Sequence, residues 1–425
     1  MARKKFKFVE MFIDPQTGAP FEDTGSPKWI EPKCKEFSPF MGHQIAKIEY
    51  EEKTVKNVTY KVGKDGKSIK EKEEELTILI EKMGEKGGWI EQTSNLSKDG
   101  KCWVKGDGIV CGNAFVGGDV EITAGEIGQN AKVVDKAKVN GNLYIGGNAY
   151  VYGTAEIGGA ARMAVYDTAR VCGKVEGSAS VYGSAYVGKE GVVKGNAMVY
   201  GNAQVHGSVE GSAVVHDAAT VYGVVRGEAQ VGYEAIILKG GIVEGKAVVE
   251  SGIVGGTVKG DVQISYGQTI VEEGGTLEGK AAVSGNSCVK CEVKGDSVLS
   301  GNATALDGGS IDGGQVLDNA TAKGSNQKGT LNGDALSLGD VSGGVTVSEG
   351  ARIGEGGSVS GGSFSGSANV GGTTSSAMSG NSVVVAGANA SMGLSGNQVY
   401  KDGDNTEPNP SEGEQPYAVI CTVEP

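Results

Sequence analysis

The chain has 425 residues, of which 73 are glycine and 9 are proline, and 38% of its residues are hydrophobic. Proline is too scarce for collagen or a proline-rich linker, and the hydrophobic fraction is too large for a fully disordered chain. The abundant glycine favours a solenoid, because the core of a solenoid needs no large side chains. The net charge of −13 argues against a general nucleic-acid groove and against binding to an anionic membrane surface.

Residues 1–100 predict a small α/β domain. The segment 5–13 (KFKFVEMFI) alternates and predicts a strand, and the segments 45–52 and 57–63 predict a hairpin around Lys53–Lys56. We expect this domain to cap the solenoid, because an uncovered sheet edge invites aggregation, and to attach it to other subunits.

A turn and a helix are predicted next in the chain. The KDG sequence at 64–66 is typical of a turn. Residues 68–84 predict a helix, because Leu76, Ile80 and Met83 have helical spacing and Gly84 stands where a glycine commonly ends a helix.

Residues 101–300 carry a hexapeptide repeat. An aliphatic residue recurs every six positions, with a small residue often four positions later, as in Val151 and Ala155. This pattern is typical of a left-handed parallel β-helix, in which three hexapeptides form one triangular coil. The recurring aliphatic positions are Val139, Ile145, Val151 and Ile157, and then Val175, Val181, Val187, Val193, Val199 and Val205.

The predicted fold is therefore mainly β: a long parallel β-helix, left-handed, with 16–18 residues per coil. We expect it to run from about residue 104 to 395. Inward positions between Val133 and Ile253 are nearly all odd-numbered, because the side chains of a strand alternate between its two faces.

The C-terminal part predicts three further segments. Residues 301–398 are rich in glycine and serine and predict a more irregular β-helix; residues 399–416 predict an acidic linker, and residues 417–425 an apolar strand that adds to a sheet edge. The inward positions expected in the irregular part are Ile311, Val316, Leu331, Val341, Val347, Ile353 and Val359.

Residues 87–118 carry three short motifs followed by GNA repeats. They resemble a widespread group of bacterial and phage proteins that have a GG-aromatic-[IV]-E segment, then N-L-S-x-[DE]-G, then C-W-V, then GNAxVxG repeats, and that are similar to the hexapeptide-repeat superfamily. The resemblance covers roughly 84–250 and implies a left-handed β-helix, often in phages or prophages, with no defined chemistry. The matching residues are Gly87, Gly88, Trp89, Ile90, Glu91, Asn95, Leu96, Ser97, Cys102, Trp103, Val104, and Gly-Asn-Ala at 112–114 and 195–197.

A hexapeptide-type acyltransferase is the enzymatic alternative. Such enzymes need a catalytic histidine, and the chain has three: His43, His206 and His216. His206 and His216 occupy a repeat slot that tyrosine fills elsewhere, so we interpret them as members of a ladder of stacked rings rather than as general bases. The single CxxC at Cys288–Cys291 lacks a second ligand pair. We therefore expect no catalytic residue, metal or cofactor.

Four rings predict a stripe on one outer face. Tyr166, Tyr182, Tyr200 and His216 are 16, 18 and 16 residues apart, one coil each, so they should stack with a spacing of about 4.8 Å. Such a stripe either stabilises neighbouring coils or forms a platform for a glycan or a partner protein.

The sequence thus predicts a non-enzymatic structural rod or spacer in a larger assembly. The resemblance implies a component of a phage virion or tail-like particle; the acyltransferase and a glycan- or partner-binding adhesin using the tyrosine stripe are the alternatives. The expected partners are other protein subunits, contacted through the N-terminal domain and the C-terminal strand, with a homo-oligomer left open and neither nucleic acid nor membrane expected.

The N-terminal residues bear on localisation. MARKKFKFVEMFIDP is basic but lacks the apolar core of a secretory signal, so synthesis in the cytoplasm without a signal peptide is expected. No stretch approaches 18 consecutive apolar residues, so no transmembrane helix is predicted.

Overall fold

The computed structural model describes residues 6–8, 28–30, 40–62, 68–324, 327–342, 344–354, 358–360, 363–364 and 369–370. The chain divides into two compact units, Met1–Ser178 and Ala179–Pro425. In the described residues both units contain parallel β-helix coils, about 16 in all. The β-helix predicted from the sequence is confirmed, and its hand stays a prediction, as do the predicted domain boundaries.

The first unit begins with antiparallel strands rather than an α/β domain. The strands are β1 (Phe6–Phe8), β2 (Lys28–Ile30), β3 (Phe40–Val62) and β4 (Ser68–Ile90). β3 and β4 form a long antiparallel pair, in which Val62 lies opposite Ser68 at one end and His43 lies opposite Ile90 at the other. β1 and β2 pair with the first part of β3.

The predicted helix over 68–84 is wrong, because these residues belong to β4. Leu76, Ile78 and Ile80 also alternate as strand residues do. Pairing with β3 satisfies the backbone along this segment, and this overrides the helical spacing.

The predicted hairpin around Lys53–Lys56 is also wrong. Residues 45–52 and 57–62 lie in one strand, β3. The residues between them, 53–56, include the β-branched Thr54 and Val55 and contain no glycine, proline or asparagine. Of the predicted strand 5–13 the structure describes Phe6–Phe8, and the predicted turn at 64–66 lies outside the described residues.

The coils of the first unit follow β4 and a short 3-10 turn, Thr93–Asn95. Each coil has three faces, and equivalent strands of successive coils pair in parallel; the first, second and third faces are numbered in chain order within a coil. The strands are β5 (Trp103–Val104), β6 (Ile109–Val110), β7 (Phe115–Val116), β8 (Glu121–Ile122), β9 (Glu126–Ile127), β10 (Lys132–Val133), β11 (Lys138–Ile145), β12 (Tyr150–Val151), β13 (Glu156–Val165), β14 (Arg170–Val171) and β15 (Lys174–Glu176).

The second unit repeats this three-faced coil. The strands of its first face are β16 (Ser180–Val181), β19 (Met198–Val199), β22 (Val214–Val215), β25 (Gln230–Val231), β28 (Val248–Val249), β31 (Gln263–Ile264), β34 (Ala282–Val283), β37 (Val298–Leu299), β40 (Gln315–Val316), β42 (Thr330–Leu331), β45 (Thr346–Val347) and β48 (Ser363–Phe364). Those of its second face are β17 (Tyr186–Val187), β20 (Gln204–Val205), β23 (Thr220–Val221), β26 (Ile236–Ile237), β29 (Ile253–Val254), β32 (Ile270–Val271), β35 (Cys288–Val289), β38 (Thr304–Ala305), β41 (Thr321–Ala322), β43 (Leu336–Ser337), β46 (Arg352–Ile353) and β49 (Asn369–Val370).

The third face of the second unit completes each coil. Its strands are β18 (Val192–Val193), β21 (Ser208–Val209), β24 (Val224–Val225), β27 (Ile242–Gly245), β30 (Thr257–Gly260), β33 (Thr276–Gly279), β36 (Glu292–Lys294), β39 (Ser310–Asp312), β44 (Asp340–Ser342) and β47 (Ser358–Ser360). Between β39 and β44 a single bridging residue, Gln327, continues the face.

The core of each coil is a column of aliphatic side chains. Val181, Val187 and Val193 have no exposed surface, and the alanines between such positions are buried at the corners, as Ala185 and Ala197 are. Many turns use residues with positive φ. Gly201 is one, with φ of 71°, and a Cβ there would lie 2.8 Å from the backbone nitrogen of Asp217 in the next coil. Glycine adopts this conformation without strain, whereas the equivalent turn positions of the next two coils hold Asp217 and Tyr233 with φ of 54° and 47°.

Coil length varies more than the sequence predicts. Val181 pairs with Val199 and Val199 with Val215, which gives coils of 18 and 16 residues. Val249 pairs with Ile264, however, and that coil is one residue shorter than the predicted minimum.

This short coil reverses the odd-numbered pattern. The expected inward residue Ile253 is half-buried on the outside, and its neighbour Val254 faces the core with 1% of its surface exposed. Inward residues on successive faces are usually an even number of positions apart, but Val249 and Val254 are five apart. The inward positions that follow are therefore even-numbered until another odd-numbered interval occurs.

The glycine- and serine-rich part also forms coils. All seven inward positions expected between Ile311 and Val359 are buried, and the last described strand is β49. The remainder of the predicted β-helix, the acidic linker 399–416 and the C-terminal strand 417–425 lie outside the described residues.

Candidate functional site

The predicted ring stripe is a real stack in the second unit. Tyr182, Tyr200 and His216 each follow a buried valine of the first face. The ring centroids of Tyr182 and Tyr200 are 4.9 Å apart with an interplanar angle of 8°, and those of Tyr200 and His216 are 5.4 Å apart at 14°. Tyr166, the fourth predicted member, lies in the first unit after the buried Val165 and is half-buried.

Stacking covers the ring faces that a sugar would need. The ring of Tyr200 has Tyr182 on one face and His216 on the other, both nearly parallel to it. Only ring edges and the hydroxyl group therefore reach solvent, and this geometry favours the coil-stabilising interpretation over the binding platform.

A second ring stack contains His206, and the interpretation of this histidine as a member of a ladder of rings is confirmed. His206 and Tyr222 on the second face have centroids 4.9 Å apart at 11°, and Tyr186 meets His206 edge-on at 5.6 Å. A Cβ at Gly188 would lie 2.8 Å from Nδ1 of His206, so glycine provides the space for this imidazole. The V-H-G and V-Y-G repeats at 205–207 and 221–223 were the signal for it.

His216 also has a carboxylate partner. Its Nδ1 lies 2.9 Å from Oδ2 of Asp217. Asp217 has φ of 54°, and the same oxygen accepts the backbone N–H of Tyr233 in the next coil at 3.4 Å. Asp135 and Asp318 hold the same kind of turn, accepting the backbone N–H groups of Gly153 and Gly333. Asp217 is thus a coil-linking turn residue, and its contact with His216 does not by itself indicate catalysis.

The CxxC cysteines are buried. Cys288 and Cys291 are each 5% exposed, and Cys291 is a free thiol, so the two do not form a disulfide with each other. Burial, and then the charges of Asp307 and Glu292, raise the pKa of the Cys291 thiol to about 12. It is therefore not a reactive thiolate at neutral pH. Within the described part of the chain, no group of three or more histidine, cysteine, aspartate and glutamate side chains could hold a metal ion.

The third face of the second unit carries a column of alternating charge. Each member directly follows an inward residue of that face, one per coil, and the sign changes at every step. We call this set the charge column: Lys194, Glu210, Arg226, Glu244, Lys259, Glu278, Lys294, Asp312 and Lys328.

Ion pairs join neighbouring members of the charge column. Nζ of Lys194 lies 3.1 Å from Oε1 of Glu210, and Nζ of Lys259 lies 2.6 Å from Oε2 of Glu278. Arg226 and Glu244 also pair at 2.6 Å. The hydrogen bond from Lys259 lowers the pKa of Glu278, and the same bond raises the pKa of Lys259.

The motif that carries the family resemblance closes the first coil. The buried Asn95 side chain donates to the carbonyl oxygens of Gly112 (3.0 Å) and Ala114 (2.8 Å) and accepts the backbone N–H of Gln92. Oε2 of Glu91 accepts the N–H of Gly112 at 2.6 Å. These residues satisfy backbone groups of the next coil, so the motif has a structural role in the described part.

The glycines of this motif permit close packing of the backbone. A Cβ at Gly87 would lie 2.5 Å from the carbonyl oxygen of Val104, and one at Gly88 would lie 2.4 Å from that of Gly108. Larger side chains would push β4 away from the first coil.

Comparison with protein-family models gives no match to this chain. A search of curated proteins gives no significant match either. None of the helices in the described residues is both long and apolar enough to cross a membrane.

Proposed function

We propose that this protein is a non-enzymatic structural spacer within a larger protein assembly. The observation that carries the proposal is how its outward side chains are used in the second unit. The ring stacks and the charge column join each coil to the next, so these side chains serve the solenoid itself.

Contacts that repeat from coil to coil make a solenoid stiff, and a spacer needs this stiffness rather than a catalytic site. Every coil repeats the same parallel pairing, and its stability is shared with its neighbours. The two histidines of the second unit lie in ring stacks, as tyrosines do in equivalent positions. No observation in the described residues specifically favours the acyltransferase.

The assembly that we propose is a phage virion or a tail-like particle. This part of the proposal comes from the resemblance of residues 87–118 to bacterial and phage repeat proteins, which is an analogy of architecture. The attachment points that we propose are the N-terminal strands and the C-terminal segment 417–425.

Shortening the β-helix by whole coils tests the proposed spacer role. Deleting residues 199–230 removes two coils and joins equivalent positions, because Val199, Val215 and Val231 are paired in register. Particles assembled with the shortened chain should lose about 10 Å along the spacer, at about 4.8 Å per coil, as measured by electron cryomicroscopy. Deleting 417–425 should prevent incorporation of the chain.

Two results would overturn the proposal. One is a purified chain that transfers an acyl group from acyl-CoA and loses this activity in the variant His216→Ala, which would establish the acyltransferase. The other is the absence of the chain from purified particles, as determined by mass spectrometry. The variants His206→Ala and His216→Ala should leave assembly intact.

A further inference from the structure

The second face of the first unit carries an open groove of about 880 Å³. It lies over three consecutive strands, β7, β10 and β12, whose parallel register places Phe115, Lys132 and Tyr150 on adjacent rungs. These side chains point outward, because the next residue on each strand is a fully buried valine. We call the site the amide-aromatic groove; its lining residues are Phe115, Asn130, Lys132, Val134, Asn148 and Tyr150.

The rim of the groove is a ladder of primary amides. Nδ2 of Asn113 donates to Oδ1 of Asn130 at 3.2 Å, and Nδ2 of Asn130 donates to Oδ1 of Asn148 at 3.0 Å. An asparagine amide has two N–H groups and an oxygen with two lone pairs. The ladder uses one donor and one lone pair of Asn130, so one donor and one lone pair remain for a ligand on this exposed side chain.

The aromatic rings of the groove are held in place before any ligand binds. Tyr150 stacks on Tyr152, with centroids 4.8 Å apart at 15°, and the guanidinium carbon of Arg170 lies 5.8 Å from the Tyr152 ring centroid. The ring of Phe115 lies over Gly117, where a Cβ would be 2.8 Å from its Cε1. Rings fixed in this way lose little conformational entropy on binding.

A single cation stands between the two rings. Lys132 is exposed and has no ion-pair partner among the described residues, whereas Lys138 on the third face of the same unit pairs with Glu156 at 3.7 Å. Asp135 follows β10 and Asp167 precedes β14, and their charges oppose a long polyanion. Arg170, on the rung beyond Tyr150, lies near the Tyr152 ring and does not line the groove, so the lining offers one cation to one anionic group.

We infer that the amide-aromatic groove binds a saccharide chain that carries a carboxylate group. The apolar C–H face of a pyranose packs on Phe115 or Tyr150, and sugar hydroxyls both donate to and accept from the amides of Asn130 and Asn148. The carboxylate accepts a charge-assisted hydrogen bond from Lys132. Tyr150 is stacked on one face, by Tyr152, whereas Tyr200 of the second unit is stacked on both faces, by Tyr182 and His216.

The experiment compares a saccharide that carries one carboxylate with its neutral methyl ester. The full-length chain is titrated calorimetrically with sialyllactose and with sialyllactose methyl ester, and a single-stranded oligonucleotide serves as a polyanion. We expect sialyllactose to bind most tightly. Lys132→Gln should weaken its binding at least about tenfold, the loss expected for one hydrogen bond between charged groups, and leave binding of the ester unchanged.

Two further variants separate the groove from the rest of the surface. Tyr150→Ala should weaken binding of both saccharides, and Lys138→Gln, which removes an exposed lysine on the third face, should weaken neither. Thermal unfolding checks that each variant is folded. The inference is overturned if neither saccharide binds at millimolar concentration, if Lys138→Gln acts as strongly as Lys132→Gln, or if the oligonucleotide binds more tightly than sialyllactose.

Discussion

At the scale of single residues, the inward positions set the stability of each coil. Val199 has no exposed surface and pairs with Val181 and Val215 in the coils on either side of it. A charged side chain at such a position would contact neither water nor a counter-ion. Its burial would destabilise the fold, because no hydrogen bond would compensate for the lost hydration. The outward residues tolerate far more change.

Val199→Asp should therefore lower the free energy of unfolding by roughly 3 kcal/mol or more. Asn202→Asp, at an exposed turn position three residues later, introduces the same side chain and should be nearly neutral. Denaturant unfolding of the two variants measures the difference. Equal effects would contradict the register of the coil.

Among the described inward positions of the third face of the second unit, one residue is polar. Gln327 is 1% exposed and continues the third face, where other coils have valine, leucine or isoleucine. Its Nε2 donates to Ser337 Oγ at 3.1 Å and to the carbonyl oxygen of Gly339, whereas its Oε1 is buried without a hydrogen-bond partner among the described residues. An unsatisfied buried oxygen destabilises the folded state.

Gln327→Met should raise the free energy of unfolding by about 1 kcal/mol, because it removes this oxygen at nearly constant volume. Gly339 keeps the hydrogen bond from Ser337 Oγ at 3.0 Å. Gln315→Met, at an exposed position of β40, is the matched control and should have little effect. A loss of stability in Gln327→Met would show that its two donated bonds outweigh the unpaired oxygen.

At the scale of elements, strands of two residues are too short to persist alone. Each strand is stabilised by the strands above and below it and by columns of side chains that run along the unit. The charge column alternates in sign over all nine of its members, so each member lies next to residues of the opposite charge. This pattern also opposes slippage by one coil, because such a shift would place like charges together.

Charge reversal within the column should destabilise the second unit. Glu278→Lys creates three successive lysines with Lys259 and Lys294, and should lower Tm by at most a few degrees, more than Glu278→Gln does. Glu273→Lys, an exposed change outside the column, should have a smaller effect. The differences should shrink at high salt, where exposed charges are screened.

The pH dependence has a defined sign. The pKa of Glu278 is lowered in the folded state by the hydrogen bond from Lys259, from an ordinary value of 4.5. The stabilisation is therefore complete above pH 4.5 and is lost as the pH falls through the lowered folded-state pKa. The stability difference between the natural chain and Glu278→Gln should vanish over that acidic range in thermal melts. A difference that persists at low pH would rule out the ion pair as its cause.

At the scale of the whole molecule, the sign of the charge at each position of the charge column depends on which coils of the second unit are neighbours. Deleting residues 199–214 removes one coil and Glu210 with it, so Lys194 then neighbours Arg226. Deleting residues 199–230 removes two coils and leaves Lys194 beside Glu244, which preserves the alternation.

The two-coil deletion should therefore be at least as stable as the one-coil deletion, although it removes twice as many residues. The measurement is thermal unfolding of both variants at low and at high salt. Salt should remove the penalty of the one-coil deletion. If the two-coil deletion is the less stable at low salt, the charge column does not govern coil register.

The sequence by itself determined the solenoid. The six-residue recurrence of valine and isoleucine, with alanine at the corners, is a local pattern, and it predicted correctly that Val181, Val187, Val193, Val199 and Val205 are buried. The stack of Tyr182, Tyr200 and His216 was also predictable, because its members fall at the same slot of successive repeats. Periodicity of this kind needs no knowledge of contacts.

Tertiary structure alone decided the features that depend on exact register. Residues 68–84 satisfy both helical and strand spacing, and pairing with β3 selected the strand. A coil one residue shorter than the predicted minimum turned Val254 inward in place of Ile253. The charge column and the amide-aromatic groove consist of residues that are a whole coil apart in the sequence. Because coil length varies, only the hydrogen-bonded register between coils shows which of these residues are neighbours.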